Sequence, residues 1–308
     1  MAQTFTRADF LRFKQAPKSP IPTPPGGDNL EKYTGAWTFE TAAHLLRRTT
    51  FGSTLQQLKD AADSDLDTLM DQLFDTLPLP DEPINFNLED DPIVPLGSSW
   101  INQLYVARDA DPEFAQQQII ARTRSLRAWI MQTIFKSGIN IREKMTLFWH
   151  NHFVTELSIV RDPNFVYNYI HTLRQNALGN FKELVGLITI DPAMLVYLNG
   201  NQNNQNAPNE NYARELFELF TIGKGDLAGP NDYTTFTEDD VVAAAKVLTG
   251  WRDQGFGGRD GGVAGSQFIR PLHDRSNKEF SHRFNNTVIT NQFENEYLAL
   301  IDMIFDQE

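Results

Sequence analysis

The chain has 308 residues, a formal net charge of −13 and no cysteine. That length can bury enough apolar surface to fold without staples, and the missing thiols exclude cysteine nucleophiles, iron–sulfur clusters and Cys-ligated zinc. The acidic balance argues against nucleic acid and anionic lipid as partners, and any metal would have to be held by His, Asp, Glu or amide oxygens.

The first residues, "MAQTFTRADFLRFKQAPKSPIPTPPGG", lack the apolar core of a signal peptide. No later run nears the roughly 18 apolar residues of a membrane span. Residues 1–36 read as an extended Pro/Gly-rich arm, with a helical domain from Trp37 to 308.

From Trp37 the punctuation is helical. Thr38 stands as the cap before "FETAAHLLRRTT", and Ser53 with Gln56 as a capping box before "TLQQLKDAAD". A third helix covers "DLDTLMDQLF". Residues 77–98 hold five prolines and read as a long loop that wraps the surface or covers a cleft.

Asp111, Asp162 and Asp191 each precede a proline, the pattern of an N-cap acid before Pro at the first helical position. Gly138 and Gly179 occupy C-cap positions, and Asn140 with Glu143, Asn180 with Glu183, Thr237 with Asp240 and Asn291 with Glu294 repeat the capping spacing. No clear two-residue alternation or Asn-Gly turn appears. The expected fold is all-α, a single irregular multi-helix domain with long Pro-rich and Gly-rich loops.

The segment "DQGFGGRDGGVAG" (253–265) reads as a mobile loop. The last helix, over 292–305, is expected to leave part of its apolar face uncovered, as if the domain continued beyond residue 308.

Three segments carry chemistry. The Asn/Gln tract ahead of Pro208 reads as a solvated surface loop, and "NENYARELFELF" as the helix it leads into. At about 100° per residue, Glu210, Arg214, Glu218, Asn211 and Glu215 form one polar stripe opposite an apolar face. Arg214 is expected to bridge Glu210 and Glu218, or to meet the 143–152 segment. Asn209 and Asn211 flank Glu210 at the helix start, where free N–H groups favour anionic or hydrogen-bonding partners. Such a stripe is either a solvated ion-paired face or a site for general acid–base work or a hard cation.

"EKMTLFWHNHF" places His150 and His152 on opposite sides of a helix beside Trp149. There His152 reads as a core histidine with a backbone partner rather than a ligand. "RPLHDRSNKEFSH" gathers His273, Asp274, Lys278 and His282 in a stretch without helical period, so it is either a charged surface loop or a source of a base or metal ligand. Arg47 and Arg48 at a helix end read as dipole compensation or an anion clamp.

Read in order, "HLLRRTTFG", "REKMTLFWHNHF", "DPAMLVYL", "PNENYARELFELFTIG", "YTTFTEDDVVAAAKVLTGW" and "HDRSNK" resemble successive signature blocks of a large bacterial family known as domain of unknown function 1800. The resemblance implies export, hence a periplasmic or extracellular place, and a sulfatase-like protein encoded nearby as a partner. It lends no reaction. It departs at Ser276, where the family carries Gly.

Two readings follow. The first is a non-catalytic binding or assembly module of the cell envelope or exterior, recognising a partner protein or glycan. The alternative is a metal-assisted hydrolase or lyase acting on a polar polymer such as a glycan, with a divalent cation as a possible cofactor. In the alternative Glu210, Glu215, Glu218, His273 and Asp274 are the acid–base candidates. Trp149, His150, Asn209, Asn211, Arg214, Trp251 and Lys278 are the ligand-binding ones, and all of these, with His152, are expected to meet in one cleft.

Overall fold

Capping chemistry sets the element boundaries in a computed structural model that describes residues 32–107, 109–257 and 263–307. Most of the expected N-terminal arm lies outside them. Thr38 caps α1 (Phe39–Thr49) through a reciprocal box with Thr41. The next box is one residue later than expected: Thr54, not Ser53, caps α2 (Leu55–Asp63) with Gln57. Asp65 caps α3 (Leu66–Phe74). Ala42, Leu46, Ala61, Leu69 and Leu73 from these three helices form a small separate core. Arg47 and Arg48 close the last turn of α1, as dipole compensation requires.

The Pro-rich stretch that follows is held by side chains donating to its carbonyls, since a segment with prolines at 78, 80 and 83 cannot supply a full ladder of its own. Asp111, Asp162 and Asp191, each before a proline, all cap helices. Asp111 opens α4 (Pro112–Lys136), with Gly138 left-handed just beyond its end. After α5 (Arg142–His152) and the short α6 (Leu157–Val160), Asp162 caps α7 (Pro163–Gln175). Two expected boundary signals differ. Gly179 is not left-handed, and Asn140 accepts from the amide of Arg142 while Glu143 turns away to Arg174.

Asn180 caps α8 (Phe181–Thr189), and Asp191 caps α9 (Pro192–Tyr197). The next helix, α10 (Glu210–Glu215), runs into a π-helical turn over Leu216–Phe220. Thr237 and Asp240 box the start of α11 (Glu238–Val247), and α12 (Glu296–Phe305) closes the chain behind a 3₁₀ turn that Asn291 opens. These twelve helices among the described residues make the protein mostly helical.

It is not purely all-α. Three antiparallel hairpins intervene: β1 (Leu227–Gly229) with β2 (Asp232–Tyr233), β3 (Trp251–Gln254) with β4 (Gly265–Phe268), and β5 (Lys278–Glu279) with β6 (Val288–Ile289). Strands of two to four residues are too short for alternation to register in a sequence. The Gly-rich segment joins β3 to β4. Within it Gly257 N–H donates to Asp162 at 2.6 Å; residues 258–262 lie outside the described residues.

The main core gathers Trp100, Phe153, Tyr169, Tyr212, Phe217 and Phe284 with the apolar face of α12. Leu300, Ile301, Met303 and Ile304 are buried there, so the expected uncovered terminal face is a packed one; only Leu298 stands well out. The Asn/Gln tract is the surface loop expected, with Gln202, Gln205 and Asn206 exposed, but hydrogen bonds pin it in place. Asn203 is fully buried, donating to Ala245 O at 2.9 Å and accepting from the amide of Asn209 at 2.9 Å. Gln205 donates from its backbone to Leu272 O and from its side chain to Pro271 O. Amides order this tract because each supplies a donor and an acceptor to backbone groups that helices and hairpins leave over.

Candidate functional site

The polar stripe forms, but its organiser comes from another helix. Asn209 accepts from Asn211 N–H at 3.0 Å, starting α10 at Glu210, and Tyr212, Ala213, Leu216, Phe217 and Phe220 bury the opposite face. Arg214 forks onto Glu238, the first residue of α11, at 2.9 and 2.6 Å. Glu210 and Glu218 stand further off, at 3.7 and 4.0 Å. The bridge expected between those two is present as two longer ion pairs, and a bidentate pair to Glu238, the geometry that a planar guanidinium favours, is added to it. The hydrogen bond from Arg214 holds the Glu238 carboxyl below its ordinary range. Lys224 completes the face, 2.8 Å from Glu218.

The π turn explains how His152 joins this region. Thr221 Oγ1 donates to Leu216 O at 2.6 Å and Gly223 N–H to Phe217 O at 2.9 Å, closing the wide turn. The carbonyl of Phe220 is left to pair with His152 Nε2 at 2.9 Å. Because that partner is an acceptor, Nε2 carries the ring proton. This is the core histidine with a backbone partner that the sequence suggested.

Glu215 is the odd member. It is half-buried, it has no hydrogen-bond or ion-pair partner among the described residues, and burial together with the nearby Glu218 pushes its carboxyl up.

His273 and Lys278 are sealed inside the protein. His273 Nδ1 lies 2.9 Å from Thr249 O, and Nε2 lies 2.8 Å from Glu296 Oε2. Lys278 Nζ reaches Glu296 Oε1 at 2.5 Å and donates to Asp274 O. All three side chains are essentially inaccessible. Asp274 sits at the edge of the cluster. Burial raises its carboxyl, but two hydrogen bonds from Ser276 and the charge of Lys278 outweigh that and hold it low. Ser276 donates to Asp274 through both its amide and its hydroxyl, so the turn closes with a serine in place of glycine. His282 is apart, exposed and 4.0 Å from Asp232.

The tryptophans and His150 do not reach the stripe. Trp149 donates to Ala177 O and stacks on Phe181 at 5.3 Å. His150 Nδ1 lies 3.1 Å from the Tyr169 hydroxyl, whose own proton goes to Phe153 O at 2.5 Å. Nδ1 is thus the donor, and burial lowers the ring below its usual range. Trp251 pairs across the hairpin with Phe268 and meets Tyr297 edge-on. The candidates therefore occupy a surface face, a sealed cluster and aromatic packing sites instead of the one cleft expected.

Glu238, Lys224 and Glu296 were missed. Glu238 and Glu296 each begin a helix, where an acid reads as dipole compensation; only the long-range contact shows otherwise. Among the described residues, no group of three His, Asp or Glu side chains is arranged to hold a metal ion.

Together these features define a mostly helical domain that carries a braced, ion-paired surface face and, elsewhere in the fold, a buried charge cluster. Residues 44–308 match the family described as protein of unknown function DUF1800, and the chain belongs to it. Neither the curated proteins nor the solved structures yield a match. No helix among the described residues is long and apolar enough to cross a membrane.

Proposed function

We propose that the protein is a non-catalytic recognition or assembly module of the bacterial cell envelope or exterior. Its α10–α11 face binds a partner protein or a surface glycan. The observation that carries this reading is the Arg214–Glu238 fork, flanked by Glu210, Glu218 and Lys224. A face of charges fixed by one another presents a preformed pattern, which lowers the ordering cost of binding. The envelope location and a sulfatase-like protein as the first partner to try rest on the family resemblance alone.

Glu215 favours a second reading. A half-buried carboxyl pushed up by burial and a like charge has the profile of a general acid, which would suit a glycan hydrolase. One assay separates the two. Purified protein is incubated with bacterial envelope fractions and with the sulfatase-like partner, and both retention and release of reducing ends are followed. The module predicts retention without release, weakened roughly tenfold or more by Glu238→Arg. Release of reducing ends abolished by Glu215→Gln would replace it with the hydrolase.

A further inference from the structure

A second surface, away from the residues that the sequence singled out, is shaped to hold a ligand. Residues 77–86 run as a strap beside α4, and between them lies a recess of about 950 Å³. The strap is fixed by side chains that occupy its carbonyls. Arg142 donates to Leu77 O and Pro78 O at 2.6 and 2.8 Å, Trp129 Nε1 to Asp81 O at 2.6 Å, and Ser125 Oγ to Ile84 O at 2.6 Å. Three prolines fix φ along the same stretch. The wall is thus rigid before anything binds.

Its free side chains are apolar and acidic. Ile84 and Phe86 are 44% and 54% exposed, and Phe135, one residue from the lining residues of α4, is 80% exposed. Large apolar side chains left open beside a recess mark a contact surface. The loop 77–98 carries Asp81, Glu82, Glu89, Asp90 and Asp91 with no lysine, arginine or histidine. Asp81 and Glu82 line the recess. Of the two cations lining it, Arg142 is occupied by the strap itself, leaving Lys136.

We infer that this groove docks a cationic, apolar peptide segment of another protein. Charge complementarity selects that occupant. A second copy of the chain would bring a further −13 against the same acidic wall. The inference concerns a different surface from the α10–α11 face and stands or falls separately from it.

The test is fluorescence anisotropy on the full chain, with a labelled short peptide alternating leucine and lysine and its counterpart carrying glutamate in place of lysine. The leucine/lysine peptide is expected to bind and the leucine/glutamate peptide not to. Reversing the wall with Asp81→Lys and Glu82→Lys should weaken binding roughly tenfold or more. Filling the recess with Gln132→Trp, at an exposed position on α4, should do the same while the Glu238→Arg variant binds as wild type. Thermal melts of each variant confirm folding. Equal binding by both groove variants, equal binding of the acidic peptide, or dimerisation of the wild type that Gln132→Trp abolishes would each overturn the inference.

Discussion

The Arg214–Glu238 and Lys278–Glu296 clusters are built from the same side-chain chemistry and differ in their access to water. In the first, both partners keep 28% of their side-chain surface exposed; in the second, lysine and glutamate keep 0% and 1%. Water screens the first pair, so either partner can be lost without stranding a charge. The second pair lies where an uncompensated charge costs several kcal/mol. The lesson is that residue type nominates a cluster for function and burial assigns its role. The open cluster is available for recognition, and the sealed one joins β5, the 273–274 turn and α12.

Glu296→Ala should break this contrast most severely. It strands Lys278 inside the core and leaves His273 Nε2 without its acceptor, so unfolding in urea should show a loss of ~3 to 5 kcal/mol. A loss under ~1 kcal/mol would mean that the sealed cluster contributes no more than an exposed pair.

Asp191 sharpens the comparison as a buried carboxylate held by backbone N–H groups, with no cation among its described partners. It accepts from Ala193 and Met194, yet burial pushes it up to about 7. Its folded value lies above the unfolded value of ~3.9. Its contribution to stability is therefore fully present below about pH 4 and is lost as pH rises to about 7. Three units correspond to at most ~4 kcal/mol. Asp191→Asn keeps a capping oxygen and should remove that slope from a series of denaturant titrations. An unchanged slope would show that the backbone donors, not burial, dominate.

Arg214→Ala should cost only ~1 kcal/mol, because Glu238 can turn to water. Urea unfolding checks it, and a loss above ~3 kcal/mol would place this pair in the buried class. The smallest effect should come from Glu215→Gln, within ~0.5 kcal/mol, since no partner is lost.

The sequence made local features legible and distant ones not. Asp111, Asp162, Asp191 and Thr237 were readable as caps because a cap acts within three residues. The Thr54 box was misplaced by one position, since Ser53 and Gln56 offer the same spacing. The β3–β4 hairpin was invisible because its pairing spans the Gly-rich segment. Helical spacing points from Arg214 to Glu210 and Glu218 one turn off, and both pairs form, but its closest partner, Glu238, lies 24 positions away and leaves no local signal. His273 and Lys278 group together in the sequence because they are five positions apart. Their sealing was hidden because Glu296 arrives from the terminal helix.

Double-mutant cycles on the two pairs separate the structural cluster from the recognition face. For Lys278 and Glu296, the coupling free energy between alanine substitutions should be ~3 kcal/mol or more, against ~1 kcal/mol or less for Arg214 and Glu238. Equal couplings, or the larger value at Arg214–Glu238, would contradict the assignment of the sealed cluster to the fold and the open one to recognition.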